Sequence, residues 1–429
     1  MMNKKFFLTI FSLLFSVLLF AQREPDKIYM QNIRGVKLFI HGDQLGYPII
    51  SLGATNALEL HFDDLDGNIK NYSYTYQLCN ADWKPVDLSI MDYVQGFTQD
   101  RLTQYRVSGI AKVKYVHYQV LLPDRNIMPT KAGNYLLKVF LNGDTSKLAF
   151  TKRLLILNNI VPIGGKIQSP YNGQLFQTHQ KVQFSIDKSK IDVFNQQQQL
   201  KVVVLQNYRW DNAVTGAQPV FMRGNVYEYN GEQDFLFPAG REFRWADLRS
   251  FRFLSERIAT VDRNATPTDV YLRPDQSKKG ERFLQYQDYD GLYFIDCTDA
   301  NNPWWQGDYG NIHFTLVPGD NQPFPDKDVY ILGEMTGYAL NDSTKLQYNA
   351  EKGVYEKTLL LKQGFYSYTY VTKDIKSKDA KATSSDIDGD FWQTENVYTI
   401  LVYYKSLSGR HDELVGALTI NSRTNQAGY

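Results

Sequence analysis

Histidines are the residues of this chain best suited to metal binding and proton transfer, and the six are scattered: His41, His61, His117, His179, His313 and His411. No pair has the close spacing of a zinc motif. His61 and His117 lie inside alternating strand patterns, where a hydrogen-bonded structural imidazole is expected. There is no Gly-x-Ser-x-Gly elbow and no phosphate-binding glycine loop. We therefore predict a protein that is not an enzyme, with no catalytic, cofactor-binding or metal-binding residues.

Two acidic segments are similar to parts of a Ca²⁺-binding loop, which needs carboxylates at alternate positions and a bidentate acid at its end. In Asp63-Asp64-Leu65-Asp66-Gly67-Asn68 the closing acid is missing. In Asp386-Ile387-Asp388-Gly389-Asp390 it is displaced to Glu395. These departures favour turns over metal sites, with a β-hairpin turn at Asp66-Gly67-Asn68. The sequence leaves open whether Ca²⁺ binds either turn.

Three further carboxylates, those of Asp296, Asp299 and Asp308, flank the aromatic segment Asn302-Pro303-Trp304-Trp305. Paired carboxylates beside aromatic side chains occur in glycosidase clefts. Aromatic turns of a β-sandwich produce the same composition by chance. A polysaccharide-active enzyme is therefore the last of the alternatives.

The densest arginine and aromatic composition lies in residues 237–253, where four arginines and five aromatic residues occupy 17 positions. Guanidinium groups stack on aromatic rings and bridge carboxylates in a fixed geometry. Such composition is enriched at the centres of protein interfaces. An alternative is an arginine–aspartate network that supports a sandwich from within, and the sequence does not decide between the two. The candidate partner-binding residues are Arg241, Arg244, Trp245, Arg249, Trp304 and Trp305.

The elements that must position these residues are strands, because alternating apolar and polar runs between turn residues recur along the chain. Examples are Val36-Lys37-Leu38-Phe39-Ile40 and Tyr72-Ser73-Tyr74-Thr75-Tyr76. Aromatic residues form 14% of the sequence, which favours strands over helices. Asn142-Gly143-Asp144 is a further predicted turn, and residues 261–280 have little strand pattern and are expected to form a long loop.

The linker Asn158-Asn159-Ile160-Val161-Pro162-Ile163-Gly164-Gly165 and the segment Pro318-Gly319-Asp320-Asn321-Gln322-Pro323-Phe324-Pro325 are the predicted domain boundaries. Short strands with regular turns are typical of β-sandwiches. The predicted fold class is all-β, with three consecutive immunoglobulin-like or β-sandwich domains at residues 22–157, 158–322 and 323–429.

Residues 1–21 have the layout of a secretory signal peptide. Lys4 and Lys5 precede an apolar run from Phe6 to Phe20, and Ala21 occupies the last position before cleavage. No later stretch is long and apolar enough to span a membrane, so we expect a protein that is not itself membrane-embedded. The net charge of +1, from 47 basic and 46 acidic residues, does not indicate binding to nucleic acid.

The third predicted domain resembles the early-set immunoglobulin-like domains that occur beside polysaccharide enzymes and in glycogen-binding modules. The resemblance rests on the strand patterns at residues 328–335, 353–361 and 364–371. Trp392 is the tryptophan of this segment, whereas sugar-binding members place several on one sheet face. A carbohydrate-binding cell-envelope protein is therefore the runner-up function.

Longer motifs resemble the plug proteins of the type IX secretion system, a family long classified as a domain of unknown function. The most specific motif is Gly240-Arg241-Glu242-Phe243-Arg244-Trp245-Ala246-Asp247-Leu248-Arg249-Ser250-Phe251-Arg252. Others are Tyr286-Gln287-Asp288-Tyr289-Asp290-Gly291-Leu292-Tyr293 and Tyr76-Gln77-Leu78-Cys79-Asn80-Ala81-Asp82-Trp83. The resemblance extends from about Gln31 through almost all of the chain.

The resemblance implies a periplasmic protein that caps the periplasmic mouth of the outer-membrane translocon barrel. The cap would keep this wide pore sealed while no substrate is in transit. The family has no catalytic residues, so none are transferred to this chain. The expected partner is thus the translocon barrel, and the expected location is the periplasm, in association with the outer membrane.

Overall fold

The computed structural model describes residues 24–377 and 381–425, and the predicted signal peptide lies outside these ranges. Strands account for 46% of the chain and helices for 4%, which confirms the all-β prediction. The helical elements of the described residues are one-turn segments at Ile90–Asp92, Gln196–Gln199, Pro303–Gln306 and Glu334–Thr336. No helix within these ranges is long and apolar enough to cross a membrane.

The first sandwich is built from strands between residues 33 and 157. One sheet has the order β1-β3-β8-β7, and the facing sheet has the order β2-β11-β10-β4-β6, with a separate pair β5-β9. Alternate residues of both sheets, among them Phe62, Tyr118 and Phe150, meet in one core. The strands are β1 Ile33–Ile40, β2 Ile49–Ser51, β3 Leu58–Asp64, β4 Tyr72–Cys79, β5 Val94–Gly96, β6 Asp100–Arg101, β7 Gln104–Val107, β8 Val116–Leu122, β9 Ile127–Pro129, β10 Gly133–Leu141 and β11 Leu148–Leu157.

Two predicted turns of this sandwich have different outcomes. β10 and β11 pair in antiparallel fashion across Asn142 and Gly143, both of which have positive φ, so this predicted turn is confirmed. The hairpin predicted at Asp66-Gly67-Asn68 is wrong, because β3 and β4 belong to different sheets. The chain crosses there from one face of the core to the other.

The second sandwich combines strands from two distant parts of the chain. One sheet has the order β12-β13-β17-β16, with β18 beside β13, and the other has the order β15-β14-β29-β30. Its core contains Phe184 and Val204 together with Tyr398 and Ile400. The strands are β12 Ile163–Gln168, β13 His179–Asp187, β14 Leu200–Gln206, β15 Arg209–Thr215, β16 Phe221–Arg223, β17 Val226–Tyr229, β18 Leu236–Pro238, β29 Val397–Tyr404 and β30 Glu413–Asn421.

The third sandwich lies between β18 and β29 in sequence. One sheet has the order β19-β28-β23, with β25 also on β28, and the other has the order β20-β21-β24-β27-β26, with β22 on β24. Residues 261–280, predicted to be a loop, include β21, β22 and the end of β20, so that prediction is wrong. The strands are β19 Arg244–Asp247, β20 Ile258–Asp262, β21 Thr268–Leu272, β22 Asp275–Gln276, β23 Tyr293–Ile295, β24 Tyr309–Val317, β25 Lys327–Leu332, β26 Gln347–Asn349, β27 Val354–Lys362 and β28 Gly364–Asp374.

The observed pairing departs from the boundary predicted near residue 322. β29 lies beside β14 over seven residue pairs, from Leu200–Tyr404 to Gln206–Tyr398, and the core of residues 246–387 spans both sides of that boundary. Strands can form backbone hydrogen bonds however far apart they lie in the sequence. The linker-like composition at 318–325 therefore does not separate domains here. We propose instead a first unit at 33–157, a central unit at 160–238 with 397–421, and an inserted unit at 244–388.

Candidate partner-binding surface

Arg244, a predicted interface residue, lies inside the inserted unit and is 3% exposed. Its guanidinium donates to both carboxylate oxygens of Asp388, at 2.8 Å for Oδ1, and its Nε lies 3.3 Å from Asp275. Burial alone would lower the pKa of Arg244, but the two carboxylates outweigh burial and raise it. One acidic turn suspected of binding Ca²⁺ therefore supplies a partner to this arginine. The network supports the sandwich from within and offers no surface to a partner.

Arg241 and Trp245 lie near the same turn. The Arg241 guanidinium donates to the carbonyl oxygens of Lys278, at 2.7 Å, and of Arg282, at 2.6 Å. It is buried and covers the Phe391 ring. Trp245 is half-buried, with its ring edge-on to Tyr286 at 5.3 Å. Both side chains therefore tie the loops of the inserted unit to its first strand.

Arg249 stands apart from that network. Its side chain is 38% exposed and donates to Asp247, at 2.9 Å from Nε and 2.7 Å from Nη2. Asp296 lies 3.7 Å from the same guanidinium. A salt bridge of this kind leaves one side of the guanidinium accessible, so Arg249 is available for contact in a way that Arg244 is not.

Trp304 joins the inserted unit to the first unit. The helical turn Pro303–Gln306 starts at Asn302, whose side chain accepts a hydrogen bond from the backbone N–H of Trp304. The indole then stacks on the imidazole of His61, with 3.9 Å between ring centroids, and also lies parallel to Phe39. Trp304 is therefore a joint residue between two units.

A buried polar cluster lies beneath Trp304. Asp63 is paired with the Lys362 ammonium and accepts hydrogen bonds from Tyr309 Oη, at 2.6 Å, and from His117 Nδ1, at 2.7 Å. Nε2 of His117 in turn lies 3.0 Å from Nδ1 of His61, so both imidazoles are hydrogen-bonded, as predicted. Burial lowers the pKa of His117 to about 4, although Asp63 opposes this effect. The imidazole is thus neutral at ordinary pH.

Trp305 lies beside Trp304 but faces the edge of the first unit. The Arg106 guanidinium covers its ring at 4.8 Å from the centroid, and its carbonyl oxygen accepts the Gly109 N–H at 3.1 Å. The six predicted residues thus occupy three places. Arg244 and Trp245 lie in the inserted unit with Arg241 just before its first strand, Trp304 and Trp305 lie at a joint, and Arg249 lies on the surface.

Two of the carboxylates that suggested a glycosidase cleft, those of Asp299 and Asp308, accept hydrogen bonds from other segments of the chain. Asp299 accepts hydrogen bonds from Ser250 Oγ, at 2.7 Å, and from the Phe251 N–H, at 3.0 Å. Asp308 accepts the N–H groups of residues 112 and 113, at 3.0 and 3.1 Å. Trp392 packs against the core of the central unit, not on an exposed face of the inserted unit. In the described ranges, no three His, Cys, Asp or Glu side chains are grouped so that they could hold a metal ion.

Sequence reasoning missed an exposed edge on the first unit. Tyr105, Val107 and Ile110 are 41%, 52% and 66% exposed. Residues 101–114, which we call the basic edge, contain four basic residues and no acidic residue, although the whole chain carries only +1. This charge run was the available signal. Lys112 of the basic edge donates to the carbonyl oxygen of Arg263, and the Arg263 guanidinium donates to the carbonyl oxygens of residues 251 and 252.

Comparisons with known proteins agree with this architecture. The family model described as "Type 9 secretion system plug protein 1st domain" matches residues 33–158, the range of the first sandwich. A crystal structure of a hypothetical protein from Parabacteroides merdae is similar with a TM-score of 0.87 at 30% sequence identity. The alignment covers 93% of this chain and 99% of that one. No curated protein matches the chain.

Proposed function

Since the chain belongs to the type 9 secretion system plug protein family, we propose that it binds the periplasmic opening of the outer-membrane translocon barrel and occludes it when no substrate is in transit. The match of the family model to residues 33–158 carries this proposal. Membership of the family supports involvement in type 9 secretion. Barrel binding, occlusion and the periplasmic location are our proposal.

The way the three units are joined suits a body that must block a wide pore without deforming. Leu136 and Leu155 of the first unit pack with Val203, Leu205 and Leu401 of the central unit in a buried apolar core. Apolar burial of this kind contributes about 25 cal/mol per Å². The joint behaves as continuous protein interior, so the first and central units are expected to move together.

Polar contacts join the first unit to the inserted unit. Lys37, which is 1% exposed, pairs with Glu334 and lies over the Tyr293 ring. Gln44 accepts the N–H of Ile295 at 2.8 Å and donates to its carbonyl oxygen at 3.0 Å. Buried charges and amides are costly to separate from their partners. A rigid body can present the broad contact, of about 1,600 Å² or more, that a stable seal needs.

The proposal assigns no chemistry to the chain, and the polar clusters described above are all engaged in structural contacts. Reversible occlusion requires an interface whose affinity for the barrel is lost when cargo enters. Arg249, which is partly exposed, and the basic edge of the first unit are two exposed surfaces with interface-type residues.

A pull-down from detergent-solubilised membranes tests the proposal. The full chain tagged after Tyr429 should bring down a very large outer-membrane β-barrel, and excess untagged chain should compete for it. Trapping secreted cargo in the barrel should release the tagged chain. Recovery of soluble chains alone, together with retention on a glycan column, would replace occlusion with the carbohydrate-binding alternative.

A further inference from the structure

The strand β7 ends its sheet, and its outer side is unpaired among the described strands. Its four residues are all exposed. A terminal strand with free backbone groups is a template for pairing with a strand of another protein. Natural proteins usually cover or disrupt such an edge, so an exposed one needs an explanation.

The register identifies which backbone groups face outward. Ser108 donates to the carbonyl oxygen of Tyr115 at 2.8 Å, and Arg106 lies opposite His117 in the same register. In an antiparallel pair, hydrogen-bonded and non-hydrogen-bonded positions alternate. The even-numbered residues therefore bond to β8, and the N–H and C=O groups of Tyr105 and Val107 point away from the sheet.

The side chains of Tyr105 and Val107 extend the core of the first unit beyond its last strand. They lie opposite Tyr118 and Val116, which are fully buried in that core. The rings of Tyr105 and Tyr118 are 5.8 Å apart. Yet 41% of Tyr105 and 52% of Val107 remain exposed. An added strand would cover this apolar row and accept both outward N–H groups.

The charge of the basic edge indicates what kind of strand fits. Arg101, Arg106, Lys112 and Lys114 are all exposed. Lys112 and Lys114 donate to backbone carbonyl oxygens, which leaves their charge without a carboxylate partner in these contacts. Two copies of this chain would bring like charges together, which opposes edge-to-edge dimerisation. Acidic side chains on the incoming strand would be favoured.

A small cleft adjoins the strand and could receive a side chain of the partner. Its volume is about 260 Å³, and it is lined by Thr103, Gln104, Tyr105, Arg106, His117 and Gln119. The Arg106 guanidinium at its rim is held over the Trp305 ring of the inserted unit. The edge is therefore positioned by two units of the rigid body.

We propose that β7 is a strand-addition site for an extended segment with alternate apolar and acidic side chains at the periplasmic rim of the translocon barrel. This inference rests on the proposed function for the identity of the partner. The mode of binding is β-augmentation, in which backbone hydrogen bonds supply affinity and alternate side chains supply specificity.

The test compares the full chain with Val107→Pro in the pull-down. Proline removes an outward N–H without removing a bond to β8, and edge strands tolerate it. We expect about a tenfold loss of barrel capture, the scale of one backbone hydrogen bond with its neighbouring contacts. The matched control is Met222→Pro in β16, another terminal strand with exposed residues, in the central unit. This control should capture the barrel as the unchanged chain does.

A second pair of variants keeps the test decisive if proline perturbs folding. Arg106→Glu should weaken capture, whereas Arg223→Glu on β16 should not. In the complex, hydrogen exchange at Tyr105 and Val107 should slow. Capture by the unchanged chain with equal capture by Val107→Pro and Arg106→Glu would overturn strand addition while leaving the proposed function intact. No capture by the unchanged chain would overturn both, and a dimer abolished by Val107→Pro would replace the barrel by a second copy.

Discussion

Replacing Lys362 by methionine tests how strongly the first and inserted units depend on the buried charge pair between them. Lys362 ends β27 and is 1% exposed, and Asp63 in β3 is 2% exposed. Burial raises the pKa of Asp63, but Lys362 and His117 outweigh burial and the net pKa is lowered. The carboxylate is therefore ionised when the joint is formed. Methionine keeps the apolar stem of Lys362 and removes the charge.

The expected loss of stability follows from the contacts that Asp63 keeps after Lys362→Met. Asp63 would stay buried with hydrogen bonds from Tyr309 and His117 but without a cation. Removing one member of a buried ion pair costs about 3–5 kcal/mol in the free energy of unfolding. Methionine adds little strain, because its volume is close to that of the lysine stem. Combining Lys362→Met with Asp63→Asn removes both charges and should recover most of the loss.

Urea unfolding followed by tryptophan fluorescence measures the effect, and Trp304 lies at the joint itself. The double variant supplies the coupling energy between the two side chains. A loss below about 1 kcal/mol for Lys362→Met, or losses that simply add in the double variant, would refute the reasoning. In that case the pair would be no more than a solvated contact.

Three further predictions concern the stability of the folded chain. Arg244→Met should cost about 3–5 kcal/mol because it leaves Asp388 buried and unpaired, whereas Arg249→Met, its partly exposed control, should change stability by less than about 1 kcal/mol. Leu205→Ala should cost about 2–5 kcal/mol and should speed proteolysis of the 158–162 connection. The contribution of Glu242 to stability should fall as pH rises from about 5 to 8, because burial raises the pKa of Glu242 to about 8 and the folded state keeps a proton that the unfolded chain releases. Glu242→Gln should flatten this dependence in thermal unfolding.

Contrary results would be specific to each case. Equal losses of unfolding free energy for Arg244→Met and Arg249→Met would mean that burial does not decide how much these ion pairs contribute to stability. Unchanged proteolysis of Leu205→Ala would mean that the apolar joint does not hold the connection closed. The same pH dependence in the unchanged chain and in Glu242→Gln would mean that Glu242 is ionised in the folded chain.

The strands themselves could be predicted, because burial of one sheet face imposes alternation on the residues. Val36 to Ile40 and Tyr72 to Tyr76 lie in β1 and β4 as expected. The asparagine–glycine turn was also predictable, since few residues adopt positive φ at low cost. The 261–280 segment was predicted wrongly because β20 and β21 have only five residues each, and the exposed aromatic residue Tyr271 lies on the outer face of β21.

The candidate site was predicted in part. The composition of residues 237–253 identified arginines with aromatic neighbours. The same composition is expected both for a protein interface and for a buried arginine–aspartate network. Arg244 and Arg249 are five positions apart, yet one is enclosed by Asp388 and the other meets solvent. Asp388 is far away in sequence, so nothing local to Arg244 reports its burial. The basic edge could have been noticed from its charge run, whereas the outward N–H groups of Tyr105 and Val107 needed the register of β7 on β8.

The sequence by itself determined the all-β class, the buried face of most strands and the family, because these depend on local alternation and on short motifs. Only the tertiary structure decided which strands pair and which charges meet. β14 pairs with β29, although the whole inserted unit lies between them in the sequence. Asp63 forms an ion pair with Lys362, which belongs to another sheet. The physical reason is that backbone hydrogen-bonding groups are chemically alike at every residue. Strand partners are therefore selected by the packing of the complete cores, which local patterns do not contain.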